Sequence, residues 1–76
     1  MIAEHDRVVL RADFENEGLK AGDVGTVVHV HAGRKAYEVE FVSLGGYTEA
    51  VVTLEAAAIR PVKKHEITHA RQFAVA

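Results

Sequence analysis

Between residues 36 and 41 the chain alternates strictly. Tyr37, Val39 and Phe41 are large and apolar, while Ala36, Glu38 and Glu40 are small or charged. A period of two is what a strand with one buried face requires, because successive side chains leave a strand on opposite sides. Such a strand needs neighbours for its backbone amides, and turn chemistry on both flanks supplies them. Ala32-Gly33-Arg34-Lys35 precedes it and Gly45-Gly46 follows it, so antiparallel strands are expected on each side. Residues 24 to 31 form the first, with Val28 and Val30 on one face and His29 and His31 on the other. Residues 47 to 54 form the second, which makes the middle of the chain a three-stranded meander.

Registers follow from the turns. A tight turn centred on Gly33-Arg34 sets Val30 opposite Tyr37, His29 opposite Glu38 and Val28 opposite Val39. A two-residue turn at Gly45-Gly46 sets Tyr37 opposite Leu54 and Val39 opposite Val52. The alternative four-residue loop would place Glu40 opposite Glu49, and like charges directly across a strand pair cost about a few tenths of a kcal/mol. With the two-residue turn, one outer row reads Val27, Glu40, Val51 and the next His29, Glu38, Thr53, while Val42 faces Glu49. Valine at three outward positions predicts either cover by the tail or the long first loop, or an apolar patch rimmed by carboxylates that meets a partner.

The flanks complete the pattern. Residues 7 to 10 read as a first strand with Val8 and Leu10 inward, and a long loop follows in which Phe14 and Leu19 are the anchors. Gly18, Gly22 and Gly25 punctuate the approach to the next strand. After it, Glu55-Ala56-Ala57-Ala58 predicts one helical or 3-10 turn, and residues 59 to 62 a closing strand whose Pro61 belongs at an edge or where pairing ends. Five short strands, a long first loop and one 3-10 turn describe an all-β domain, a small SH3-like barrel over residues 1 to 62. Residues 63 to 76 remain as a basic C-terminal tail, solvated or forming a short helix.

Size and charge bound the function. The chain has 76 residues and twelve of its apolar ones are Ala, so the core is thin; a domain this small buries only about 60% of its unfolded surface. Cysteine is absent, which excludes disulfides, thiolate metal sites and thiol nucleophiles. No apolar run approaches the roughly 20 residues of a membrane span, and the N-terminus lacks a basic region followed by an apolar one, so a cytoplasmic, soluble protein is expected. The formal charge of -2 is unevenly spread: residues 1 to 59 carry ten acids against five bases, and residues 60 to 76 four bases against one acid. The acidic body repels phosphate.

Several residue patterns bear on chemistry. His65-Glu66-Ile67-Thr68-His69 fits H-E-x-x-H, in which two His on successive helical turns bind zinc and Glu is the base. No third ligand type follows His69 and no second lobe remains to be built, so a metal site is not expected there. His29 and His31 share a face beside Glu38, an arrangement that surface pairing explains as well as a metal does. Ser43 has no His or acid placed beside it by spacing. The glycines between 18 and 25 feed a strand rather than a helix N-terminus, which leaves a phosphate loop unsupported. No enzyme activity, cofactor, metal or small-molecule substrate is expected.

The ordered segments Arg7-Val-Val-Leu, Gly18-Leu-Lys-Ala-Gly-Asp-Val-Gly-Thr-Val-Val-His-Val, Tyr37-Glu-Val-Glu-Phe and Val52-Thr-Leu through Arg60-Pro-Val resemble a family of short bacterial proteins with an SH3-like barrel. The resemblance spans roughly residues 4 to 66. It implies the fold and the small size, with no assigned activity beyond action alongside a genomic-neighbour protein, sometimes in toxin and antitoxin style. Gly-Asp-Val-Gly-Thr-Val is also similar to KOW-type barrels, which are nearly all binding modules. The resulting expectation is a non-enzymatic protein-interaction module, acting with a partner protein or on itself, through Val27, His29, Glu38, Glu40, Val51 and Thr53. The alternative is a nucleic-acid-binding module using Lys63, Lys64 and Arg71, which the acidic body disfavours.

Overall fold

The computed structural model describes residues 1 to 74; the last two residues of the basic tail lie outside the described residues. Five strands form: β1 (Arg7–Leu10), β2 (Val24–Val30), β3 (Ala36–Val42), β4 (Thr48–Glu55) and β5 (Ile59–Pro61). They make one antiparallel sheet in the order β4-β3-β2-β1-β5. β4 and β5 are its two edges, and the sheet is not closed into a barrel by pairing between them. The alternation of Tyr37, Val39 and Phe41 makes β3 a strand, and its inward face is buried as that pattern requires. Those side chains pack with Val8 and Leu10 of β1, Val27 of β2, Leu54 and Ile59 into a single core.

The long first loop is tied down as its apolar residues dictate. Phe14 and Leu19 form an isolated bridge across the 3-10 turn Glu15–Glu17, Leu19 is buried, and Phe14 packs against the core. Among the described residues the only helical segments are 3-10 turns: Glu15–Glu17, Ala32–Arg34 and Ala56–Ala58. The last is the turn expected from the alanine run, and Pro61 sits on the β5 edge opposite Val8.

Two register corrections matter. β2 does not alternate from end to end, because a bulge falls between Val27 and His29. Beyond it His29 pairs with Glu38 and Val30 with Tyr37 as expected, but before it Val27, not Val28, faces Val39. One extra residue reverses the phase of a two-residue repeat. Val27 therefore points into the core at 0% exposure, and Val28 points out. Gly25 is required on the same stretch: a Cβ there would stand 2.5 Å from Val39 Cγ1 and 2.9 Å from Phe41.

The second correction is the β3–β4 turn. Ser43 N–H donates to the carbonyl of Tyr47 at 2.8 Å, leaving Leu44, Gly45 and Gly46 as a three-residue connection in which Gly46 takes φ 94. A register shift beside Phe41 makes Val42 face Thr48, not Glu49, and compensates for the longer turn. Beyond that bulge every expected pair stands: Tyr37 with Leu54, Glu38 with Thr53, Val39 with Val52, and Glu40 with Val51.

The tail is neither helical nor loose over its described part. Arg60 grips Glu66 through two hydrogen bonds of 2.9 and 2.6 Å, and the Lys63 amide donates to the same carboxylate. Further on, Arg71 holds Asp23 with bonds of 2.9 and 2.5 Å and donates to the Gly18 carbonyl, while Phe73 packs against the core. These anchors hold the chain irregular, so His65 and His69 do not stand on successive turns of a helix.

Candidate interaction surface

The outer face of the meander is polar on β3 and apolar toward the turn. Glu38 and Glu40 point outward and are both partnered across the strand pair. Thr53 Oγ1 donates to Glu38 Oε2 at 2.5 Å, and Thr48 Oγ1 donates to Glu40 Oε2 at 2.8 Å. His31 Nε2 also donates to Glu38, at 2.7 Å. The Thr53 hydroxyl first and His31 second hold the Glu38 carboxyl below the usual range, since hydrogen bonds to a carboxylate favour its charged form. His29 lies opposite Glu38 along the backbone, but its ring packs edge-on against His31, 5.0 Å between centroids, and makes no bond to the carboxylate. Among the described residues no three His, Asp or Glu are gathered around a common point that would hold a metal ion.

Of the residues expected on this surface, the fold brings together His29, Glu38, Glu40, Val51 and Thr53. It removes Val27, whose place in the row beside Glu40 is taken by Thr26. Val51 is 55% exposed beside these partnered carboxylates. Toward the turn the exposed apolar side chains continue: Val42, then Leu44 at 79% and Tyr47 at 73%. Phe14 and Glu17 of the first loop stand beside Val51 across a groove and leave it exposed.

Sequence reasoning did not anticipate the cleft behind this hairpin. Residues 67 to 73 run past Val24, Phe41, Val42 and Tyr47 and enclose with them a cavity of about 490 Å³. Its base is the Arg71–Asp23 pair. Burial pushes the Asp23 carboxyl up, but the Arg71 hydrogen bonds and the Lys20 amide outweigh it, and the net direction is down. The Arg71 guanidinium is raised in turn, chiefly by Asp23, and its carbon lies 5.9 Å from the Phe73 ring centroid. No local pattern signals a pair 48 residues apart; opposite charges were the only clue. Of the three cations of the nucleic-acid alternative, Lys63 and Lys64 are exposed, whereas Arg71 is engaged by Asp23.

β4 is one edge of the sheet. It is eight residues long, and apart from its ladder to β3 and the 3-10 turn Ala56–Ala58 that Glu55 caps, no backbone hydrogen bond involves residues 48 to 55 among those described. On its outer side lies a groove of about 390 Å³, walled by Phe14 and Glu17 of the first loop and floored by residues 51 to 54.

Five antiparallel strands in one unclosed sheet, with no helical segment other than 3-10 turns among the described residues, define a small all-β domain. Over residues 4–61 the chain matches the family described as Domain of unknown function (DUF4926), and it belongs to that family. No curated protein and no solved structure matches it. Among the described residues no helix is long and apolar enough to cross a membrane.

Proposed function

We propose that this domain is a non-enzymatic protein-interaction module of SH3-like type, and that it docks its partner on the β3–β4 hairpin. The five-strand order and the 3-10 turn before the last strand support the SH3-like assignment. One observation carries the docking reading: Val42, Leu44, Tyr47 and Val51, four large apolar side chains of one hairpin that also bears Glu38, Glu40 and Glu49, are all exposed. Scattered single apolar residues are ordinary on a protein surface, but several on one hairpin that also bears carboxylates favour an interface. Nucleic-acid binding is less well supported, since a basic face is its first requirement and Arg71 is spent on Asp23.

The test is affinity capture from the native cell with the parent chain and with V51K. A partner retained by the parent and lost by V51K, at equal thermal stability, supports the reading. Equal retention by both chains, or retention that vanishes only as the nucleic acid is digested, overturns it.

A further inference from the structure

The two edges of the sheet differ in a way that points to a binding mode. β5 is three residues long and ends in Pro61, a proline that cannot donate to a further strand and so blunts that edge. β4 has neither Pro, Lys nor Arg, and its bulge falls at the turn end, so the ladder from Ala50 to Glu55 is regular. An edge of this kind is a template for another strand, because half of its amides and carbonyls point away from β3. Charge then selects the partner. The carboxylates of β3 are already engaged by Thr48, Thr53 and His31. Glu49 and Glu55 of β4, and Glu17 across the groove, make no side-chain hydrogen bond or ion pair among the described residues. All three are exposed.

We propose that the β4 edge accepts, as a sixth antiparallel strand, an extended cationic segment of another protein. This rests on the interaction-module reading and adds its mode and the chemistry of its partner. Backbone hydrogen bonds along residues 50 to 55 bind the segment irrespective of its sequence. An apolar side chain of the segment covers Val51, and Lys or Arg residues about six positions apart meet Glu55 and Glu49, which stand about 20 Å apart along the strand. A second copy of this chain fits less well, since the body it would bring is itself acidic.

A blocked peptide that alternates Val and Thr between lysines six positions apart is the probe, titrated at low salt into the isotope-labelled full chain. The expected result is saturable binding with amide shifts and new exchange protection within residues 48 to 55. Affinity should fall about tenfold in the E49K/E55K double variant, whose thermal midpoint stays that of the parent. Equal binding of a peptide with Glu in place of Lys overturns the charge selection. Shifts confined to residues 67 to 73 and the hairpin tip place the ligand in the cleft instead and overturn the edge. Dimerisation of the chain through residues 48 to 55 makes the occupant a second copy and likewise overturns the proposal. If no peptide binds while capture of a partner still depends on Val51, strand addition fails and the interaction module stands; if V51K-sensitive capture fails, the module itself fails.

Discussion

Valine 27 and valine 51 should answer the same substitution in opposite ways. V27K places an ammonium in a site with no exposure, among the apolar side chains of the core, and the loss in an equilibrium denaturation should exceed about 3 kcal/mol. V51K adds a charge to a solvated face and should stay within about 0.5 kcal/mol of the parent. G25A should cost about 1 to 3 kcal/mol in the same measurement, since its methyl group meets Val39, Phe41 and the Glu40 carbonyl at once. Most residues of the core were legible from alternation alone: Val8, Leu10, Tyr37, Val39, Phe41 and Leu54 all face inward where their spacing puts them. Val27 was not, because the repeat of Val28 and Val30 was carried backward across a bulge that nothing in Val-Val-His announces.

Elements were legible where a strand is bounded by glycine turns, and illegible where the chain is held by distant side chains. The β3–β4 register was correct although its turn was misjudged; the three-residue connection and the bulge beside Val42 cancel, leaving Glu40 across from Val51 rather than Glu49. The tail was read as solvated or helical, since its anchors, Arg71 on Asp23 and Arg60 on Glu66, depend on the fold having formed. R71A should therefore raise amide exchange through residues 67 to 73, at a cost of about 1 kcal/mol or less in global stability. Acid provides a second test. The Arg60 guanidinium, helped by the Lys63 amide, holds the Glu66 carboxyl down at about 2. A carboxyl depressed in the folded state contributes stability that is complete above its unfolded value and is lost as pH falls through the folded one. A carboxyl carbon titration should accordingly place the Glu66 midpoint near 2, moving up into the ordinary range in R60A. A midpoint unchanged by R60A would contradict the pairing.

At the scale of the whole molecule, a thin core and an open sheet belong together. A domain that buries little on its own leaves one long edge unpaired and one hairpin apolar, while Pro61 closes the opposite edge and Arg71 draws the tail onto the body. The acidic charge of the body lies partly in the unpaired carboxylates flanking that edge, so the association proposed for it should weaken as salt rises. The claim that β4 is an edge completed by another chain is tested most directly by amide hydrogen exchange within residues 50 to 55, with and without the captured partner. In the free chain, alternate amides of this segment should exchange as fast as those of an exposed loop while their neighbours, bonded to β3, are protected, and the fast set should become protected when the partner binds. Uniform protection in the free monomer, or a fast set that stays fast in the complex, would contradict it.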